Sequence, residues 1–133
     1  MRKLEHIGIA VKNLEESNKL FARLLNVEHY KIEEVVSEGV RTSFFKVGDI
    51  KIELLEATRP ESPIAKFIEK RGEGIHHLAF EVENIADTMN NLSQKDFQMV
   101  SNQAKEGADN KMIGFLHPKT TNGVLIEVCS EKS

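Results

Sequence analysis

The sequence predicts an α+β protein made of two βαβββ modules, and three observations lead to this prediction. Residues 6–14 resemble residues 77–85, with His, Val and Asn at matching positions 71 residues apart. Each copy begins with the alternating apolar pattern of a strand and continues into a helical pattern. Each copy then ends in a series of short strands, the last of which carries a glutamate between apolar residues. Four matched features in the same order argue against a chance repeat and for a duplicated unit.

Asn13 and Asn84 are predicted to be helix N-caps, because each follows a strand pattern and has an acid three residues later. An Asn side chain accepts hydrogen bonds from the free amides of a first helical turn. Apolar residues then recur at helical spacing in both copies: Leu14, Phe21, Leu24 and Leu25 in the first, and Ile85, Met89 and Leu92 in the second. Each half therefore starts as strand, cap and amphipathic helix.

Three strands are expected after each helix, separated by turn residues. In the first half they cover about 29–36, 40–47 and 50–56, and in the second about 97–100, 112–117 and 124–128. Between the halves, Ser62–Pro63 should start a short helix that Gly72 ends. The polar segment 102–111 is expected to be a mobile loop. The prediction is one domain over 1–133, with module one at about 1–57, a linker helix at about 58–74 and module two at about 75–133.

Composition excludes several classes of protein. Of the 133 residues 40% are hydrophobic and 29% are charged, and the formal charge is -3, which argues against a nucleic-acid binder that needs a basic face. The sequence contains no apolar run of the ~18 residues that a membrane helix needs. The single cysteine, Cys129, cannot form an internal disulfide, so a cytoplasmic location is expected. A cysteine-based zinc site is excluded too, so any metal must be bound by His and carboxylate side chains.

Side-chain alternation places one metal-capable residue on the less apolar face of each of four predicted strands. These residues are His6, Glu53, His77 and Glu127. Small neighbours on that face (Gly8, Ala10 and Ala79) should leave space for a cavity. One such residue alone is more often a solvated surface group, but the coincidence in both repeats favours a site. Two imidazoles and two carboxylates suit Co, Ni, Mn, Zn or Fe and leave positions for water or a bidentate substrate.

The other histidines are weaker candidates. His76 lies beside His77 but on the opposite face of its strand. His117 precedes Pro118 at a strand end and is expected to be structural. His29 has no partner in the repeat and is given no role.

Six segments carry motifs that point to a known family: HIGIAV at 6–11, VGDIKIELLE at 47–56, SPIAKFI at 62–68, GIHHLA at 74–79, FLHPK at 115–119 and GVLIE at 123–127. With these motifs, the whole chain resembles the vicinal oxygen chelate superfamily, in which paired βαβββ modules form a curved mixed sheet around a divalent metal. Within that superfamily, the motifs are most similar to those of the methylmalonyl-CoA epimerase family.

The resemblance implies one divalent ion (Co, Ni, Mn or Zn) bound by His6, Glu53, His77 and Glu127. It also implies a homodimer and inversion of a thioester substrate at its α-carbon, with Glu127 as one catalytic base. Some epimerases carry a second glutamate where this chain has Thr42. Glu53 is therefore the candidate for the second base, with a water molecule or Glu38 as alternatives.

Two other functions stay open at this point. Glyoxalase I (lactoylglutathione lyase) moves a proton in the methylglyoxal–glutathione hemithioacetal at a His/Glu/His/Glu site. A third hypothesis is a non-catalytic small-molecule binder of the same fold. The intact set of four candidate metal ligands argues against it. The two enzymes differ in their carriers, because glutathione and CoA would need different contacts at the cavity mouth. Metal analysis would distinguish the non-catalytic binder from both enzymes, since absence of bound metal would favour the binder.

Overall fold

The computed structural model describes residues 1–132, which form two compact units. The amino-terminal unit is His6–His76. The carboxyl-terminal unit combines Met1–Glu5 with the chain from His77 onward. The boundary thus lies inside two strands, next to the two histidines of the sequence repeat. The single domain over 1–133 stays a prediction.

The amino-terminal unit contains a four-stranded mixed sheet and two helices. Its elements are β1 (Lys3–Ala10, of which the residues from His6 belong here), α1 (Leu14–Leu25), β2 (Lys31–Val35), β3 (Val40–Val47), β4 (Ile50–Ala57) and α2 (Pro63–Arg71). The strand order is β2-β3-β4-β1, in which β1 and β4 are parallel and the other pairs are antiparallel.

The carboxyl-terminal unit repeats this plan. Its elements are β5 (Gly74–Glu81, from His77), α3 (Ile85–Gln94), β6 (Lys105–Glu106), β7 (Lys111–Leu116) and β8 (Ile126–Glu131). The order is β5-β8-β7-β6, and β5 and β8 form the parallel pair. The predicted pair of βαβββ modules is confirmed.

Both predicted N-caps are confirmed. The side chain of Asn13 accepts a hydrogen bond from the Glu16 amide, and Asn84 accepts one from the Asp87 amide. The linker helix also has its predicted ends. Ser62 caps it through the Ile64 amide, and Gly72 follows it with φ of 80°, where a side chain would be strained.

Apolar clusters cover both faces of the amino-terminal sheet. On one face Val11, Leu14, Phe45 and Leu54 pack under α1, and on the other Ala10, Val40, Leu55 and Ile64 pack with α2. The second face is the one that carries His6. Ala10, which was expected to leave open space there, is instead fully buried in this cluster. In the other unit, Val82, Met89, Leu116 and Val128 form the cluster under α3.

Some predicted boundaries were wrong. The last strand begins at Ile126 rather than Val124, because the Thr121 hydroxyl donates to the Val124 carbonyl at 2.6 Å and keeps it in a turn. The expected strand near 97–100 is a single bridge between Met99 and Leu116. The expected mobile loop at 102–111 contains β6, which pairs with β7.

Candidate metal centre

His6 and Glu53 form the first candidate ligand pair, in the amino-terminal unit. They lie on the parallel strands β1 and β4, and the register places Gly8 opposite Glu53. His6 is two residues before Gly8, so its side chain points to the same face. Its Nδ1 atom lies 3.1 Å from Oε2 of Glu53, and both side chains are at least nine-tenths buried.

His77 and Glu127 form the equivalent pair in the carboxyl-terminal unit. Here the register places Ala79 opposite Glu127, again two residues after the histidine. The Nε2 atom of His77 lies 3.2 Å from Oε1 of Glu127, with both side chains 6% exposed. The Phe115 ring meets the imidazole edge-on, with centroids 5.9 Å apart, and so limits its rotation.

The two His/Glu pairs also have equivalent neighbours on the adjacent strands. Phe115 stands opposite Glu127 on β7, and Phe44 stands opposite Glu53 on β3. The pairs differ in the nitrogen that faces the carboxylate, which is Nδ1 in His6 and Nε2 in His77. The four predicted side chains are therefore brought together two by two, within each unit.

The chemistry of these donors fits a divalent metal. Imidazole nitrogen and carboxylate oxygen are ligands for Zn, Mn, Co and Ni, and all four side chains belong to buried His and Glu groups that could bind an ion. Burying a carboxylate away from water is costly unless a cation or several hydrogen-bond donors stabilise it. A divalent ion would supply that charge.

Glu5 is a further buried carboxylate that sequence analysis did not single out. Its Oε2 atom lies 4.0 Å from the Nζ atom of Lys111, a lysine that is itself buried. Lys111 was predicted to lie in a loop, so this ion pair could not be predicted from the local sequence pattern.

The remaining candidates have other partners. The His76 ring packs edge-on against Phe67, with ring centroids 5.0 Å apart. This contact agrees with the expectation that His76 is a weaker candidate for a metal ligand. Nδ1 of His117 accepts a hydrogen bond from the Lys119 amide and caps a short turn, as expected for a structural histidine. Thr42 is buried on β3, two residues before Phe44 and therefore on the Glu53 face.

None of the helices in the described range 1–132 is long and apolar enough to cross a membrane.

Residues 5–115 match the sequence model of the Glyoxalase/Bleomycin resistance protein/Dioxygenase superfamily. The chain is 36% identical over 132 residues to the uncharacterized protein YqjC of Bacillus subtilis, covering 99% of this chain and 94% of the relative. It is 37% identical over 128 residues to an ethylmalonyl-CoA/methylmalonyl-CoA epimerase of Cereibacter sphaeroides, covering 95% and 96% of the two chains.

A solved structure of a methylmalonyl-CoA epimerase in complex with methylmalonyl-CoA and NH4+ is also similar. The TM-score is 0.95 at 29% identity, over 98% of this chain and 95% of the other. The match to a whole chain of this class identifies the fold as the vicinal oxygen chelate α+β fold.

Proposed function

The chain belongs to the glyoxalase/bleomycin resistance protein/dioxygenase superfamily and to its methylmalonyl-CoA epimerase family, and from this membership we propose that it interconverts (R)- and (S)-methylmalonyl-CoA. The enzyme is thus an isomerase acting on a small-molecule thioester. The structural observation that carries the proposal is the buried His/Glu pair, present twice in the same strand register.

One divalent ion, bound jointly by His6, Glu53, His77 and Glu127, is part of this proposal. Co, Ni, Mn and Zn all accept this donor set. When bound, the ion supplies Lewis-acid stabilisation of negative charge on the thioester oxygen. Support comes from the burial of the four side chains and from the repetition of the pair.

Inversion requires two proton transfers, one on each side of the α-carbon. The Glu127 carboxylate takes the proton, and the electron pair of the broken C–H bond moves onto the thioester carbonyl oxygen. Glu53, which starts the turnover as a carboxylic acid protonated from solvent, then delivers its proton to the opposite face as that electron pair returns to carbon, and exchange with solvent resets both side chains. No oxidation or reduction occurs. Glu53 is assigned this second role because Thr42 offers no carboxylate on the same face.

The test is deuterium uptake by methylmalonyl-CoA in heavy water, followed by mass spectrometry. Carboxylic acid protons equilibrate with solvent between turnovers, so each inverted product should carry one deuteron at the α-carbon. We expect fast uptake with the cobalt-loaded protein and only the spontaneous rate after chelation. Uptake in neither sample would refute the epimerase proposal, and the hemithioacetal of glutathione and methylglyoxal would be the next substrate.

The variant Glu127→Gln tests the assignment of the base. It preserves side-chain shape but removes the proton acceptor, so uptake should fall by about 10²–10⁴-fold, the usual contribution of a general base. Glu83→Gln, at an exposed position before α3, is the matched control and should retain full activity. If Glu127→Gln keeps near-normal uptake in a folded protein, another group is the base.

We also propose a homodimer, on the strength of family membership. Size-exclusion chromatography with light scattering should give twice the chain mass, and a stable particle of one chain mass would contradict it. The cytoplasmic location inferred from the single cysteine stays a prediction.

A further inference from the structure

Two lysines stand side by side on the sheet face that carries the His6–Glu53 pair. Lys51 lies directly across from His6 on β1 and directly across from Lys46 on β3. Residues directly opposite each other in neighbouring strands share a face of the sheet. Lys46 is exposed and Lys51 is half-buried, so a dissolved molecule can reach both. We call Lys46 and Lys51 the lysine pair.

Within the amino-terminal unit, the lysine pair lies at the open end of this face. Two residues after Glu53, Leu55 is buried with Ala10 and Ile64, which belongs to α2. Helix α2 therefore covers the face on that side. Two residues before Glu53, Lys51 is partly accessible and stands outside this apolar cluster. A molecule that approaches Glu53 along this face of the unit passes the lysine pair.

The arrangement of charges favours an anion at this place. Ammonium groups at directly opposite strand positions repel each other. The neighbouring charges on the same face interact with one another, since Nζ of Lys31 lies 3.3 Å from Oε1 of Glu33. An anion bound between Lys46 and Lys51 would replace their repulsion with two charge-assisted hydrogen bonds.

The second repeat shows that the fold does not require lysines at these two positions. Leu125 corresponds to Lys51, because each lies two residues before the glutamate of its pair. His117 corresponds to Lys46, because each lies two residues after the phenylalanine that faces that glutamate. The two positive charges are specific to the first repeat, which indicates a role in binding and not in folding.

Distance selects the anion. In the proposed reaction Glu53 delivers a proton to the α-carbon, and the free carboxylate of methylmalonyl-CoA is bonded to that same carbon. Lys51 is two residues from Glu53 along β4, which places their Cα atoms roughly 7 Å apart. The four-carbon stem of a lysine can span most of that distance. The CoA phosphates, by contrast, are separated from the α-carbon by the long pantetheine arm.

We propose that Lys51, assisted by Lys46, binds the free carboxylate of the thioester substrate. This inference rests on the proposed function and adds the group that distinguishes a malonyl-type thioester from a simple acyl thioester. Each ammonium group donates to one carboxylate oxygen. Holding the carboxylate also restricts rotation of the substrate, so that its α-carbon stays within reach of Glu53.

The test is isothermal titration calorimetry of the cobalt-loaded protein with racemic methylmalonyl-CoA and with propionyl-CoA. The two ligands differ only in the carboxylate, and the racemate undergoes no net epimerisation. The wild type should bind methylmalonyl-CoA about tenfold more tightly or better, since hydrogen bonds to charged groups contribute this much. Lys51→Met should weaken methylmalonyl-CoA by a similar factor and leave propionyl-CoA unchanged. Lys46→Met should act with the same selectivity and a smaller effect, because its side chain is more exposed.

Two further variants are controls. Lys51→Arg keeps the positive charge and should retain most of the preference for methylmalonyl-CoA. Lys19→Met makes the same change of charge on α1, which packs on the opposite face of the sheet, and its side chain is 75% exposed. It should bind both thioesters as the wild type does. Circular dichroism would verify that each variant is folded.

Three results would overturn the proposal. Equal loss of both thioesters in Lys51→Met would mean that the lysine contacts the CoA carrier. Unchanged binding of both in this variant, or equal binding of both by the wild type, would mean that the lysine pair does not recognise the carboxylate. If the wild type still exchanges deuterium, only the lysine assignment is then wrong. A wild type that neither binds methylmalonyl-CoA nor exchanges deuterium would refute the epimerase proposal, and the lysine assignment with it.

Discussion

Two small residues, Gly8 and Ala79, stand directly across from the proposed glutamate ligands in the parallel strand pairs. Since neither side chain is larger than a methyl group, the histidine two residues earlier can approach the carboxylate across the strands. The resulting distances, 3.1 Å and 3.2 Å, are nearly equal in the two units. The small residue at this register position therefore helps to determine the geometry of each pair.

Metal stoichiometry tests whether the two pairs act together. If one ion needs ligands from both repeats, the wild type binds one ion per chain, and His6→Ala or His77→Ala alone should each lower the affinity by at least 100-fold. The measurement is equilibrium dialysis with cobalt, followed by elemental analysis. Circular dichroism would verify that the variants are folded.

The control for this experiment is His76→Ala, which removes a neighbouring imidazole that packs on Phe67. It should keep full cobalt binding. Two ions in the wild type and one in each ligand variant would mean that the pairs bind metal separately, and the joint site would be wrong.

At the scale of elements, the N-caps of α1 and α3 make a quantitative prediction. Asn13→Ala and Asn84→Ala should each lower the free energy of unfolding by about 1 kcal/mol, because an amide of the first turn loses its acceptor. Urea denaturation monitored by circular dichroism measures this. Asn90→Ala, at an exposed position within α3, should be neutral or slightly stabilising, because Ala is the better helix former. Equal effects at all three positions would contradict the capping role.

Local patterns were enough to predict the caps, the linker helix and the strand β3, because the residues that decide these elements are near one another in sequence. β6 could not be predicted this way. The segment next to it packs closely on β7, where a Cβ at Gly107 would come within 2.8 Å of Ile113. That contact depends on the fold of the unit and leaves no periodic signal in a polar segment.

The candidate site likewise has features that the local sequence pattern predicts and features that depend on tertiary packing. Face alternation and the repeat were sufficient to choose four buried residues. Successive side chains of a strand point to opposite faces, so the position of a residue in the sequence predicts its face. His29 was given no role, and its buried Nδ1 atom has no hydrogen-bond partner among the described residues. The lack of a partner depends on how distant segments pack, so the sequence pattern cannot predict it.

At the scale of the whole molecule, duplication explains which features repeat and which do not. The His/Glu pairs are the same in both repeats, as are the caps and the parallel pairing of first and last strands. The layer beneath the helices differs, with Asn18 in one repeat and Met89 in the other. Of these repeated features, the His/Glu pairs and the parallel strand pairs that position them are the ones that the proposed metal centre requires of both halves.

The chain start is connected to the carboxyl-terminal unit by backbone and ionic contacts. The Arg2 amide donates to the Glu81 carbonyl at 2.8 Å. The buried Lys111 ammonium lies 4.0 Å from buried Glu5 and 2.5 Å from Glu131, whose side chain is 71% exposed. Loss of the Lys111 ammonium would therefore affect the two carboxylates differently. Glu131 can be solvated by water, whereas the buried Glu5 carboxylate would lose a neighbouring positive charge that water cannot replace.

Lys111→Met should consequently lower the free energy of unfolding by roughly 3 kcal/mol, in the range found when one member of a buried ion pair is removed. Glu131→Gln should cost less than about 1 kcal/mol, because its exposed charge is screened by solvent. Urea denaturation would measure both. The double variant Glu5→Leu/Lys111→Met should recover most of the loss, since replacing both members with apolar groups leaves no charge buried. If the double variant is instead less stable than Lys111→Met, as two independent defects would make it, the Glu5 and Lys111 side chains are not coupled.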